Sequence, residues 1–299
     1  MTRTAVGRFV SDEARERFLK AYEEAMGLWP GPREECDVET SFGAVHVHRA
    51  GAGQGEPIVL LHGHGGNSSN WYPQIEAFGE HHPVYAIDTI DDPGRSVQHT
   101  VIKDSRDNAA WVNEVLEGLG LERVHLVGLS YGGWLTLNQA VYGAERLASV
   151  TVLDPGGLQK VPLRFLVSSV CGLFAMLFPR RFRPWFARVL ANYALIAPAR
   201  LMAPIMLGTR TYRPSYRPPA RPFTDEELGS IRVPALVVLA GRSTLLNPRK
   251  ALRRASALIP GVRAEIVPRV GHGLPLEAPE LVNARVLRFI DSEAHSRSM

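Results

Sequence analysis

Short apolar runs that end in glycine-rich turns alternate along this chain with longer stretches whose apolar residues recur every three or four positions. Residues 11–28 read as a helix, with Ser11 as N-cap and Asp12 and Glu13 in the first turn, where negative charge is favoured. Phe18, Tyr22 and Met26 form its apolar stripe, and Trp29-Pro30-Gly31-Pro32 ends it. Residues 37–40 and 44–48 predict two short strands around Ser41-Phe42-Gly43. Residues 57–61 are continuously apolar, as a strand buried on both faces requires. A helix over 71–78 and a strand over 84–88 follow. Next comes a helix over 105–119, with Ser105 expected as its cap and Ala109, Val112 and Leu116 on one face. Strands are predicted at 124–127, 149–155, 233–240 and 264–267, and helices at 134–140, 248–258 and 277–290. Strands that alternate with helices imply a parallel sheet covered on both faces.

Between residues 156 and 229 the alternation stops. Residues 161–178 are strongly apolar, 185–206 read as an apolar helix with arginines interspersed, and 211–222 mix proline with arginine. A connection of about seventy residues is far longer than ordinary loops and predicts a functional cap. The expected division is therefore a core of 1–155 and 230–299 with a cap insertion of 156–229. Arg164 interrupts the apolar run, and the remainder is shorter than the ~20 residues a spanning helix needs. Contact of the cap with a membrane interface fits the pattern better than a span.

Composition narrows the class without naming it. A chain of 299 residues with 45% hydrophobic content is long enough for one large α/β domain. The net charge of +4 is mild, and no recognition motif accompanies the arginines, so nucleic acid is not an expected partner. Cys36 and Cys171 are the two cysteines, in neither a disulfide framework nor a metal spacing. The N-terminus lacks an apolar export segment, and a cytoplasmic location is expected.

The chemistry centres on Gly128-Leu129-Ser130-Tyr131-Gly132-Gly133, between a strand and a helix. A serine with glycines two before and two after it, at such a junction, fits a nucleophile elbow; the alternative is a turn whose glycines serve packing. A serine needs a base, and a late loop supplies His272 within Gly271-His272-Gly273. Acyl transfer also needs oxyanion donors. The backbone N–H of Tyr131 is one candidate, and that of His64, in His62-Gly63-His64-Gly65-Gly66, is the other. The alternating His62/His64 and His46/His48 suggest metal ligation, but no carboxylate or cysteine cluster completes such a site in the sequence, so no metal is expected.

These three motifs resemble those of the α/β-hydrolase superfamily, and the resemblance runs through essentially the whole chain. Leu28-Trp29-Pro30 and the stretch Asp88-Thr89-Ile90-Asp91-Asp92-Pro93-Gly94-Arg95-Ser96 further resemble a group of small bacterial carboxylesterases. The resemblance implies a mostly parallel eight-stranded sheet with helices on both faces, a helical cap after the sixth strand, and cofactor-free hydrolysis through a serine, a histidine and an acid. Ser130 separates the chain from haloalkane dehalogenases, which use aspartate there.

The acid departs from that pattern. The family carries Asp or Glu shortly after the seventh strand, where this chain has Thr244 in Gly241-Arg242-Ser243-Thr244-Leu245. Asp154, at the end of the sixth strand, is the best replacement, although it also reads as a turn acid opening Asp154-Pro155-Gly156-Gly157. The second reading is a Ser–His dyad oriented by Thr244, Asn247 or a water. The third is a protein that no longer hydrolyses, either a ligand-binding module or a cofactor-independent cyclase or lyase. The expected substrate is a lipophilic ester, thioester or lactone, with Gly63, Trp134, Leu166 and Phe174 bordering it and Val167, Val170, Leu173, Leu177, Met202 and Met206 extending an apolar cavity.

Overall fold

The computed structural model describes residues 6–175, 178–215 and 220–297. The first half of the chain runs β1 (Arg8–Phe9), α1 (Asp12–Met26), β2 (Glu34–Thr40), β3 (Gly43–Ala50), β4 (Ile58–Leu61), α2 (Tyr72–Gly79), β5 (Val84–Ile87), β6 (Val97–Gln98), α3 (Ser105–Gly118), β7 (Val124–Leu129), α4 (Tyr131–Tyr142) and β8 (Leu147–Leu153). It continues with α5 (Leu163–Ala175), α6 (Arg183–Leu190), α7 (Ala199–Thr211), β9 (Tyr212–Arg213), α8 (Asp225–Ser230), β10 (Ala235–Ala240), α9 (Pro248–Leu258), β11 (Arg263–Val267), α10 (Leu274–Glu277) and α11 (Pro279–Arg297).

Eight strands lie in the order β11-β10-β8-β7-β4-β5-β3-β2, and the two-residue β6 pairs beside β3. All neighbours from β11 to β5 are parallel, whereas β3 runs antiparallel to β5 and to β2. Every residue of β4, β8 and β10 is buried, which explains why β4 and β10 read as unbroken apolar runs; in β8 the buried Ser149 and Thr151 interrupt the run, and Ser149 Oγ is hydrogen-bonded to His125 Nδ1 at 2.8 Å. Helices shield both faces and divide the core in two. Trp111, Val112, Trp134 and Leu135 pack on one side, and Phe18, Tyr22, Phe78, Val282 and Val286 on the other.

Two expectations need correction. The α3 cap is Asp104 and not Ser105: Asp104 Oδ1 accepts the N–H groups of Arg106 and Asp107 at 2.8 and 3.0 Å. The stretch 185–206 is not one helix. Ala191 adopts the left-handed conformation (φ 49°) and closes α6, Asn192 caps the N–H of Ala194, and Pro198 precedes α7. A left-handed C-cap and a proline start are standard ways to stop one helix and begin another.

The N-terminal segment braces the region after β8. Arg8 and Phe9 pair with Arg213 and Tyr212, and α1 packs along α7. Gly208 of α7 sits so close to Pro93 that an added Cβ would lie 2.7 Å from the ring. Among the described residues, no helix is long and apolar enough to cross a membrane.

Candidate active site

The carboxyl ends of β4, β7, β8 and β10 meet the loop after β11, the crevice where open α/β sheets place ligands. Ser130 sits between β7 and α4 with φ 56° and ψ −109°, a conformation a serine adopts only under constraint. The constraint is close packing. A Cβ on Gly132 would lie 2.0 Å from the Leu61 carbonyl oxygen, and one on Gly128 would lie 2.2 Å from that of Gly132. Strand, helix and the Ser130 turn fit together only with hydrogen at these positions.

His272 Nε2 is 2.8 Å from Ser130 Oγ, and His272 Nδ1 is 2.6 Å from Asp154 Oδ2. An ionised carboxylate only accepts, so Nδ1 carries the proton and donates it to Asp154. The Nε2 lone pair is thereby left facing the Ser130 hydroxyl. Asp154 is fully buried and has φ 42°. Its Oδ1 accepts the Ala240 N–H at 3.1 Å, and its Oδ2 accepts the Ser243 hydroxyl at 2.6 Å.

Asp154 can reach His272 because β8 and β10 are parallel neighbours, with Leu153 in register with Val238. The ends of these two strands border the same space, so an acid after either one can stand behind the histidine. Thr244 offers its backbone oxygen to Arg164 Nε at 3.3 Å, while its neighbour Ser243 holds the Asp154 carboxylate.

The His272 loop is held by Glu277, which sequence reasoning did not single out. Glu277 Oε2 accepts the N–H of Gly271 at 2.8 Å, and Oε1 accepts that of Gly273 at 3.2 Å, so one carboxylate clasps both flanks of the histidine. Burial pushes the Glu277 carboxyl above its ordinary value, against the opposing pull of those N–H groups. In the sequence it reads only as the acid opening the predicted 277–290 helix, five residues after the histidine; in the structure it ends the short α10 instead.

On the opposite side, an added Cβ on Gly63 would lie 3.3 Å from Ser130 Cβ, which brings the turn after β4 against Ser130. The His64 ring is tied to Asp92 (Nδ1 to Oδ1, 2.7 Å), and the Tyr131 hydroxyl donates to Asp91 Oδ2 at 2.9 Å. Asp91 and Asp92 are buried in the turn after β5 and so anchor both residues expected to supply oxyanion donors.

Ser130 and His272 open into a cavity of about 480 Å³ lined by Gly63, His64, Leu129, Val161, Phe165, Ile205 and Leu245, among others. An adjoining cavity of about 280 Å³ shares His272, Phe165 and Ile205 and extends to Thr244 and Met202. Of the four residues expected to border the substrate, Gly63 lines the first cavity. Trp134 does not: it is 1% exposed, stacked between Tyr131 and Phe223, and donates its Nε1–H to the Arg221 carbonyl. Phe174 also lies outside the cavity, with 61% of its surface in solvent, and Val167 and Val170 point outward with it. The Leu166 and Leu173 side chains and residue Leu177 lie outside the described residues. The wall is formed instead by Phe165, one position from Leu166, whose ring meets the His272 edge at 6.0 Å.

One set of metal-type ligands comes together elsewhere. Across the β2–β3 ladder, Glu35 faces the unpartnered nitrogens His46 Nε2 (3.8 Å) and His48 Nδ1 (3.5 Å), a carboxylate the linear sequence did not reveal. Arg33 and Arg95 each lie 3.1 Å from that carboxylate, so a cation there would meet two guanidinium groups.

Residues 58–285 match the alpha/beta hydrolase family. Over 93% of its length the chain is 34% identical to the uncharacterised carboxylesterase Nap of Bacillus subtilis, covering 93% of that protein. It is 33% identical to carboxylesterase YbfK of Bacillus subtilis over 95% of this chain and 96% of that one. The crystal structure of YbfK (CesB) superposes with a TM-score of 0.81 over 93% of this chain and 98% of that one. That of naproxen esterase, also from Bacillus subtilis, gives 0.82 at 31% identity over 94% and 99%. Sequence, sheet order and site geometry agree: this chain belongs to the alpha/beta hydrolase family.

Proposed function

We propose that this protein is a serine carboxylesterase that cleaves lipophilic esters, thioesters or lactones through an acyl-enzyme at Ser130. The observation that carries the reading is the run of short contacts from Ser130 Oγ to His272 (2.8 Å) and from His272 to the buried Asp154 carboxylate (2.6 Å), opening on an apolar cavity. In this reading His272 Nε2 takes the Ser130 proton as Oγ attacks the carbonyl carbon, and Asp154 stabilises the imidazolium. The backbone N–H groups of His64 and Tyr131 receive the oxyanion. Collapse expels the alcohol, thiol or ring oxygen, protonated by His272, and a water activated in the same way releases the acid.

The names of the two Bacillus carboxylesterases and of the naproxen esterase support ester cleavage at this site. The apolar lining of both cavities supports a lipophilic acyl or alcohol group. Residues 156–229 act as the cap over it, contributing Val161, Phe165, Ile205 and Met202 to the walls. A non-hydrolytic role was suggested by an apparently vacant acid position; with Asp154 behind His272, that motive falls away.

The test is covalent labelling. A fluorophosphonate probe at micromolar concentration labels the wild type at Ser130 and leaves Ser130→Ala unlabelled, while p-nitrophenyl esters are hydrolysed by the first only. Absence of labelling and turnover in folded wild-type protein would overturn the proposal.

A further inference from the structure

Helix α5 is apolar on two opposite faces. Phe165 lines the catalytic cavity, yet Leu163, Val167, Val170 and Phe174, spaced four, three and four residues apart, are each 45–74% exposed. Such spacing places all four on one stripe. On α6, which packs against α5, Trp185 and Val189 lie one helical turn apart and are likewise exposed, at 62% and 55%. Surface helices of globular proteins normally turn polar residues outward, and a contiguous apolar face of this kind marks an interaction site.

The segment that carries that face is one-sided in charge. From Pro155 to Thr224 the sequence contains ten arginines and Lys160 but no aspartate or glutamate, although the whole chain carries only +4, so the remainder is net acidic. Arg164, Arg181, Arg188 and Arg200 are exposed, and the Arg181 guanidinium lies 4.9 Å over the Phe182 ring. Self-association would be a simple way to cover the apolar stripe. A two-fold dimer would, however, place the same patch against itself and oppose basic to basic. An anionic lipid surface satisfies both features, accepting the aromatic and aliphatic side chains among its acyl chains and the arginines at its headgroups.

We propose that the α5–α6 face of the cap docks on an anionic lipid surface. Docking would set the catalytic cavity beside the bilayer, because Val161 and Phe165 wall that cavity from the same segment that carries the exposed stripe. Binding to lipid does not rest on the esterase reading; only the consequence for turnover does.

Full-length Ser130→Ala protein, unable to acylate, is sedimented with vesicles of phosphatidylcholine and phosphatidylglycerol in equal parts, and with vesicles of phosphatidylcholine alone. The expected result is partitioning onto the anionic vesicles only, weakened by added salt. Arg181→Glu with Arg188→Glu should reduce it at least about tenfold, given roughly fivefold per basic residue near such a surface. Phe174→Ser with Trp185→Ser should reduce it comparably. In an otherwise wild-type background this apolar-face variant should keep its turnover of a soluble short-chain ester and lose turnover of an ester embedded in anionic vesicles. No binding, or equal binding to both vesicle types, overturns the proposal. Dimerisation at micromolar concentration that Trp185→Ser abolishes would assign the face to a second copy and also overturn it. If lipid binding stands and neither ester is cleaved, the docking inference survives and the hydrolase reading fails.

Discussion

Replacing Asp154 by Asn keeps the shape of the buried group and removes its charge. Asp154 accepts hydrogen bonds from the Ala240 N–H, the Ser243 hydroxyl and His272 Nδ1–H. An amide in this place keeps its oxygen on the Ala240 N–H and turns its NH₂ toward Ser243 and His272. The Ser243 hydroxyl can rotate to accept. The imidazole can accept only by moving its proton to Nε2, the nitrogen 2.8 Å from Ser130 Oγ. The base is then blocked and the imidazolium is left without a counter-charge. In a comparable triad this change lowers turnover by about four orders of magnitude, equivalent to about 5 kcal/mol of transition-state stabilisation. The assay is kcat and KM on a soluble p-nitrophenyl ester, with thermal unfolding to verify that Asp154→Asn is folded. The expected result is a kcat loss near 10⁴-fold with KM nearly unchanged. A loss below about tenfold in folded protein would refute the role given to Asp154 and return the site to a dyad.

Thr244→Ala should stay within about twofold of wild-type kcat, since the contact identified at Thr244 is through its backbone oxygen; a loss matching that of Asp154→Asn would contradict this. Glu277→Ala releases the N–H groups on both sides of His272 and should lower kcat about ten- to a hundredfold with KM held, with Glu277→Gln between the two because its single carbonyl oxygen can clasp one flank only. Wild-type kcat in Glu277→Ala would refute the clasp. Gly132→Ala forces a methyl onto the Leu61 carbonyl and should cost several kcal/mol, read as a large drop in Tm or as insoluble protein. Acidification tests two buried histidines outside the site: burial lowers the pKa of both His48 and His125 to about 4, against about 6.5 when unfolded. The unfolded chain binds protons first, so their contribution is present above about pH 6.5 and is lost as pH falls toward 4, by up to about 3 kcal/mol each. Urea midpoints between pH 7 and 4 should fall accordingly, and His125→Gln should flatten the profile; an unchanged slope in that variant would remove His125 from the account.

Much of the site was legible because it is made of local patterns. Ser130 and its glycines, His272 between glycines, and the turn after β4 are each written in a few consecutive residues, since a sharp backbone turn admits few side chains. The acid was not legible in that way. Asp154 and His272 are 118 residues apart, and only the adjacency of β8 and β10 joins them. Glu277 escaped notice because its role is to hold backbone N–H groups, for which no sequence pattern exists. Trp134 and Phe174 were misplaced for a different reason: α4 is buried throughout residues 131–140 and α5 carries apolar residues on two opposite faces, so apolar character alone does not tell which face meets the cavity.

Taken by itself, the sequence determined the alternation of strands and helices, the interruption after residue 155, and Ser130 and His272 as the candidate pair, because each follows from hydrophobic period or turn chemistry over a short span. The tertiary structure decided which carboxylate stands behind His272, which cap residues face the cavity and which face solvent, and that Glu35 meets two histidines across a strand pair. Those outcomes depend on which elements lie side by side and how each is rotated, and neighbours in space leave no mark on neighbours in sequence.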